Sequence, residues 1–165
     1  MSDPILYDVM ESPVGPLLLR SNGHALTGLY MDAHRREPRP ADGWRRDPAA
    51  LRQAREQLHA YFGRELFAFD LPLELAGTAF QQRVWRALCT IPFGQTISYG
   101  EQARRVGNQA GARAVGTANG RNPISIIVPC HRVIGANGSL TGYGGGLPRK
   151  RWLLAHEGVQ LELPR

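Results

Sequence analysis

Residues 126–135 constrain this chain more than any other stretch. Ile126, Ile127 and Val128 form a short β-branched run, which predicts a buried strand. Pro129 stops it, because the ring fixes φ and removes the amide donor. Cys130, His131 and Arg132 then arrive together, followed by Val133, Ile134 and Gly135. A thiol beside an imidazole in an apolar setting is what a cysteine nucleophile needs, since the thiolate is the reactive form. On an extended strand neighbouring side chains point to opposite faces. Cys130 and His131 therefore meet only if Pro129 bends the chain or a water relays the proton.

The charge is also uneven. The formal net charge is +6 over 165 residues. Residues 77–165 carry eleven Lys and Arg against three Glu, a net of +8, while residues 1–76 carry nine Arg against eleven Asp and Glu, a net of −2. A basic half joined to a mildly acidic half predicts a polyanion-binding face confined to the second half. The length holds one full domain, or a small domain and a sub-domain. No run approaches eighteen apolar residues and no basic-then-apolar leader opens the chain, so neither a membrane span nor a secretory signal is expected. Two cysteines, Cys89 and Cys130, fit a reducing, cytoplasmic setting better than a disulfide scaffold.

Taken in order, residues 5–10, 16–20 and 25–30 alternate as strands around turn-forming breaks at Ser12-Pro13-Val14-Gly15 and Ser21-Asn22-Gly23, predicting a small antiparallel sheet. Residues 32–49 read as a loop. His24 and His34 lack metal-ligand spacing and read as surface histidines. Leu51, Ala54, Leu58 and Tyr61 recur at helical spacing over residues 48–62, with Gly63 where a C-terminal glycine belongs. Phe67, Phe69, Leu71 and Leu73 predict a short closing strand. A boundary at Gly77 follows, and the half before it offers no chemistry of its own.

Thr78 is an expected N-cap for a helix whose stripe is Phe80, Val84, Leu88 and Ile91, with Cys89 read as an inert packing cysteine. Ser98 caps a helix to Val106, Gly107-Asn108-Gln109 turns, and a second helix runs from about Ala110 to Asn119. That is helix-turn-helix spacing over residues 98–119. The second helix is built from Ala110, Gly111, Ala112, Ala114, Gly116, Thr117 and Ala118, with Arg113 its only large side chain. Such a helix lies close to whatever it meets, a DNA groove or a neighbouring helix. Residues 140–146 form a glycine-rich loop, but no Gly-Lys-Ser/Thr follows, so a nucleotide P-loop is not supported.

The last helix, from about Pro148 to near Gly158, carries its charges against the macrodipole, with Arg149, Lys150 and Arg151 at the positive end and Glu157 at the negative end. The expectation is that the basic trio meets phosphates and that Glu157 meets a cation or an imidazole. Cys130, His131 and Glu157 then make a candidate trio. By themselves they equally allow a cysteine hydrolase, although no family-specific hydrolase signature surrounds Cys130.

Pro129-Cys130-His131-Arg132-Val133 resembles the active-site signature of the O6-alkylguanine-DNA alkyltransferases. The resemblance covers residues 77–158. Its other blocks are Phe80-Gln81-Gln82-Arg83-Val84-Trp85, Ile91-Pro92-Phe93-Gly94, Ser98-Tyr99, Ala112-Arg113-Ala114-Val115-Gly116, Asn122-Pro123 and Leu153-Leu154-Ala155-His156-Glu157-Gly158. It implies an α+β fold. A small antiparallel-sheet, ribonuclease H-like sub-domain over 1–76 would precede a mainly α domain over 77–165 with a winged helix-turn-helix-like motif.

The resemblance further implies irreversible, single-turnover transfer of an alkyl group from guanine O6, or thymine O4, to Cys130 after minor-groove binding and base flipping. No cofactor or metal is implied. Cys130 would be the acceptor, His131 (through a water) and Glu157 its deprotonating relay, Tyr99 the donor to guanine N3, and Asn122 the tie between helix-turn-helix and active-site loop. Arg113 would fill the gap left by the extruded base, with Ala112, Ala114 and Gly116 on the groove-facing helix. Pro129, Val133, Tyr143 and Gly144 would line the pocket. The partner would be duplex DNA carrying O6-alkylguanine, met by a monomer, with no membrane involved; clustering on DNA is left open by the sequence. Two departures stand out. Gly144 occupies a position where many relatives have serine, which removes a hydroxyl contact. The cysteines and histidines of a structural zinc site in some relatives, and the cysteine-rich regulatory domain of others, have no counterpart, so no transcriptional role is expected.

Overall fold

The computed structural model describes residues 4–31, 43–107 and 111–161. The fold is α+β and divides into two units. The first comprises Met1–Ala76 with Pro123–Ser125, the second Gly77–Asn122 with Ile126–Arg165.

In the first unit β1 (Ile5–Met10), β2 (Leu17–Ser21) and β3 (Leu26–Met31) pair antiparallel, and β4 (Trp44–Arg46) adds in parallel to β1, giving the order β3-β2-β1-β4. Strand alternation places Leu17, Leu19, Leu29 and Met31 fully inside. Helix α1 (Arg52–Phe62) buries Ala54, Leu58 and Tyr61. Asp8, buried on β1, accepts from Arg46 at 3.1 Å and from Arg55 of α1 at 3.0 Å. Pro123–Ser125 joins β3 through Leu29 N–H to the Pro123 carbonyl and Ser125 N–H to the Leu29 carbonyl.

Three sequence expectations need correction here. Part of the loop expected over 32–49 is strand β4; residues 32–42 lie outside the described residues. The strand expected at 67–73 does not form. Gln57 hydrogen-bonds both the N–H and the carbonyl of Asp70, so the backbone is satisfied by side chains instead of a ladder, and Phe67 is exposed. Only an isolated bridge ties Leu73 to Leu26. At the end of α1 the left-handed residue is Arg64, at φ 59°, while Gly63 keeps φ −82°. Glu65 N–H to Ala60 and Arg64 N–H to Tyr61 complete a Schellman motif with arginine where glycine is usual.

In the second unit, α2 (Ala79–Leu88) starts with a full capping box between Thr78 and Gln81. Its Trp85, 1 % exposed, donates from Nε1 to the Ala118 carbonyl at 2.9 Å. Cys89 is exposed, so it is not a packing residue; it caps the helix one position past the buried Leu88. Helices α3 (Tyr99–Arg105, capped by Ser98) and α4 (Gly111–Gly120) make the helix pair; residues 108 and 109 of the expected turn and residue 110, the expected start of the second helix, lie outside the described residues. Between the helices Gln102 and Asn119 exchange two buried amide bonds, at 2.7 and 2.8 Å. A fully satisfied buried pair of this kind admits one register only. Two-residue strands β5 (Ile97–Ser98) and β6 (Val133–Ile134) pair in parallel, and α5 (Leu147–His156) closes the unit. Among the described residues no helix is long and apolar enough to cross a membrane.

Candidate active site

The run expected to be a strand at 126–128 is a buried turn. Ile126 stands at φ 72°, outside any strand, and Ile126, Ile127 and Val128 are nevertheless buried. Burial alone produced the apolar run, and for three residues periodicity cannot separate strand from turn. Pro129, at φ −85° and ψ 65°, turns the chain into a single turn of 3-10 helix, Cys130–Arg132, closed by Arg132 N–H to the Pro129 carbonyl at 3.0 Å. With three residues per turn, adjacent side chains fan out about 120° apart. The opposite-face problem of an extended strand therefore does not arise.

Cys130 is 7 % exposed. Asn122, just past α4, donates from Nδ2 to the Val128 carbonyl at 2.8 Å and to Cys130 Sγ at 3.3 Å. Burial pushes the Cys130 thiol above its ordinary value, and the Asn122 hydrogen bond and the Lys150 charge pull it back.

His131 and Glu157 are both fully buried at their side chains, with His131 Nε2 2.7 Å from Glu157 Oε2. Arg132 forks onto the same carboxylate, Nε to Oε1 at 2.8 Å and Nη2 to Oε2 at 3.0 Å, and donates from Nη1 to the Ile91 carbonyl at 2.7 Å. Gly94 N–H adds a bond to Oε1 at 3.3 Å. Burial pushes Glu157 upward, but the bonds and charges of His131 and Arg132 outweigh it and hold the carboxyl well below its usual range. Burial pushes His131 downward, against the pull of Glu157. The site at rest is thus a neutral imidazole on an ionised carboxylate. Nε2 carries the proton that Glu157 accepts, which leaves Nδ1 as the basic lone pair; Nδ1 is buried without a hydrogen-bond partner.

Tyr99, the first residue of α3, donates its hydroxyl to the Thr141 carbonyl at 2.9 Å. The same oxygen receives Lys150 Nζ at 3.4 Å and Thr141 Oγ1 at 3.2 Å. Burial raises the Tyr99 phenol. Lys150 corrects the expectation for the basic trio, because it is fully buried and meets carbonyls where phosphates were expected. Sequence reasoning missed it, and it gave Arg132 no role. The signal for Lys150 was present: Lys150, Leu153, Leu154 and Glu157 recur at i, i+3, i+4 and i+7, and all four are buried.

The pocket candidates surround this centre. Pro129 and Val133 are buried, Val133 pairing with Ile97, while Tyr143 and Gly144 in the glycine loop are half-buried. Arg113 and Ala112 are exposed on α4; Ala114 and Gly116 are half-buried, and a Cβ at Gly116 would touch the Tyr99 ring at 3.6 Å. No group of three or more His, Cys, Asp or Glu gathers as a metal site among the described residues.

Comparison with known proteins bears on both units. The sequence profile of the 6-O-methylguanine DNA methyltransferase ribonuclease-like domain matches residues 5–75, and that of the 6-O-methylguanine DNA methyltransferase DNA binding domain matches residues 79–159. The chain belongs to the 6-O-methylguanine DNA methyltransferase family. Within that family it is 58 % identical, over 153 residues, to the methylated-DNA–protein-cysteine methyltransferase of Mycobacterium tuberculosis H37Rv, spanning 93 % of this chain and 92 % of the relative. It is 49 % identical to the Methanosarcina acetivorans methyltransferase of the same name, over 92 % of this chain and 97 % of that one. The crystal structure of Mycobacterium tuberculosis OGT in complex with DNA superposes with a TM-score of 0.86 at 56 % identity, covering 92 % of each chain.

Proposed function

We propose that this methyltransferase repairs duplex DNA by moving the alkyl group of O6-alkylguanine irreversibly onto Cys130, one group per molecule. The observation that carries the reading is the buried thiol next to a neutral imidazole whose partner carboxylate is fixed and ionised. Cys130 loses its proton to His131 Nδ1. That nitrogen has no hydrogen bond to Sγ, so the transfer runs through a water. The thiolate attacks the alkyl carbon in line, the S–C bond forms as the C–O6 bond breaks, and the departing guanine takes a proton at N3 from the Tyr99 hydroxyl. A thioether has no route to hydrolysis in this site, so turnover stops at one.

The alkylated atom lies inside the duplex, so the base is flipped into the pocket at a cost of a few kcal/mol. Arg113, exposed on α4, fits the stacking gap this leaves, and the small residues Ala112, Ala114 and Gly116 let the helix enter a minor groove about 6 Å wide. Pro129, Val133, Tyr143 and the Gly144 amide form the pocket walls, with the Val133 carbonyl on the guanine amino group. The domain roles follow, with residues 1–76 structural and residues 77–165 binding DNA and performing the transfer. The protein works as a monomer in the cytoplasm without a cofactor.

The test is transfer of labelled methyl from an O6-methylguanine duplex to wild type, C130S and C89S. Label on wild type and C89S but not on C130S supports the reading. Label absent from wild type that still binds the duplex would reduce the protein to a lesion binder.

A further inference from the structure

Lys150 is the only lysine in an arginine-rich chain, and it is buried to 0 % exposure in the first turn of α5. Its Nζ donates to the Thr141 carbonyl at 2.9 Å, to the Tyr99 hydroxyl at 3.4 Å and to the Gly142 carbonyl at 3.5 Å. The ammonium also lies 5.7 Å from the Tyr99 ring centroid. No carboxylate among the described residues forms an ion pair with it.

A buried charge with only neutral acceptors is costly. Helix stability does not explain it either, because a cation at a helix N-terminus opposes the macrodipole. The chain otherwise meets its need for positive charge with arginine, whose flat fork suits carboxylates and phosphates; a compact three-donor ammonium suits carbonyls converging on one point. Tyr99 from α3 touches Lys150 directly and the glycine loop contributes carbonyls, while Cys130 and His131 of the 3-10 turn feel its charge without contacting it. Of these, Cys130 turns negative as the attacking thiolate, and Tyr99 turns negative once it has protonated the departing guanine. Lys150 favours that thiolate and disfavours a charged His131.

We propose that Lys150 is a positioning residue for alkyl transfer: its ammonium fixes the Tyr99 hydroxyl against the Thr141 carbonyl and supplies the positive charge that the buried Cys130 thiolate needs. The Tyr99 part rests on the proposed function; the thiolate part does not. Lys150 moves no proton to or from the substrate, and acts through Tyr99, the loop and Cys130.

The experiment is the pH dependence of Cys130 carbamidomethylation by iodoacetamide in the full chain, read on the Cys130 peptide for wild type, K150M and K150R. The exposed Cys89 peptide serves as internal control. In K150M the midpoint should rise by one unit or more, so the rate near neutral pH falls about tenfold and recovers at alkaline pH. Cys89 should not change, and K150R should restore most of the neutral rate. If K150M does not accumulate folded, by circular dichroism, K150Q takes its place. An unchanged midpoint in K150M or K150Q, with or without a uniform loss of rate, overturns the proposal. Because the iodoacetamide reading needs no DNA, wild type that fails to accept methyl from a lesion duplex would sink the proposed function separately.

Discussion

Arg132 grips Glu157 with two parallel bonds, Nε to Oε1 at 2.8 Å and Nη2 to Oε2 at 3.0 Å, inside a site where both side chains are almost wholly buried. Arg132 therefore fixes the carboxylate that orients His131. A bidentate guanidinium–carboxylate pair sets both orientation and charge. Substituting Glu157→Gln keeps the shape but removes the charge that, in the proposed relay, supports the imidazole as it takes the thiol proton. Transfer from an O6-methylguanine duplex should slow by about 10²–10⁴-fold, the usual worth of a general base. Single-turnover kinetics on the folded variant checks this, and a loss below threefold would contradict it.

Asn122, just past the helix pair, bonds both the Val128 carbonyl and Cys130 Sγ. Substituting Asn122→Leu leaves a buried carbonyl without its side-chain donor and the thiol without its hydrogen bond. Stability should drop by about 1–3 kcal/mol. The Cys130 thiol should also titrate at higher pH. Urea denaturation measures the first effect and thiolate absorbance the second.

Ile126 sets two effects against each other. A β-branched residue at φ 72° is strained, yet its side chain is fully buried. Substituting Ile126→Gly relieves about 1–3 kcal/mol of backbone strain while forfeiting the 2–5 kcal/mol that truncating a buried isoleucine usually costs. The net loss should fall clearly below that of Ile124→Ala, a fully buried residue with no positive φ. Chemical denaturation of the two variants provides the comparison.

Lys150 gives a stability prediction with a defined pH window. Burial lowers its folded-state value from 10.5 to about 8. Between those values the unfolded chain binds the extra proton, so stability rises with pH there, and the full penalty of the buried charge is present below about 8. K150M should therefore be as stable as wild type or more stable by about 1–3 kcal/mol at neutral pH, and the gain should vanish above pH 10.5. Thermal melts at neutral and alkaline pH test this. A large loss of stability at neutral pH would mean that the bonds to Thr141 and Gly142 outweigh the charge penalty.

Much of this architecture was legible in the sequence because the signals were local. Thr78 with Gln81, Ser98 with Glu101 and the strand alternation around residues 5–31 each carry their partner within a few positions. What was not legible depended on partners distant in sequence. The strand expected at 67–73 gave way to Gln57, and the run at 126–128 folded as a turn because burial, without a ladder, satisfied it. Arg132 sat in the signature itself, but its role required Glu157, twenty-five residues on. Lys150 looked like surface charge beside Arg149 and Arg151, and only its placement on the buried stripe of α5 distinguishes it.

The central claim is that Cys130 takes one alkyl group and keeps it. The measurement is intact and peptide mass spectrometry after mixing the protein with a several-fold excess of duplex carrying a single O6-methylguanine. The account predicts one added methyl per molecule, on the Cys130 peptide alone, with an equal amount of lesion lost from the DNA and no further loss on longer incubation. Lesion loss that continues past one equivalent, or methyl on Cys89 in place of Cys130, would contradict it.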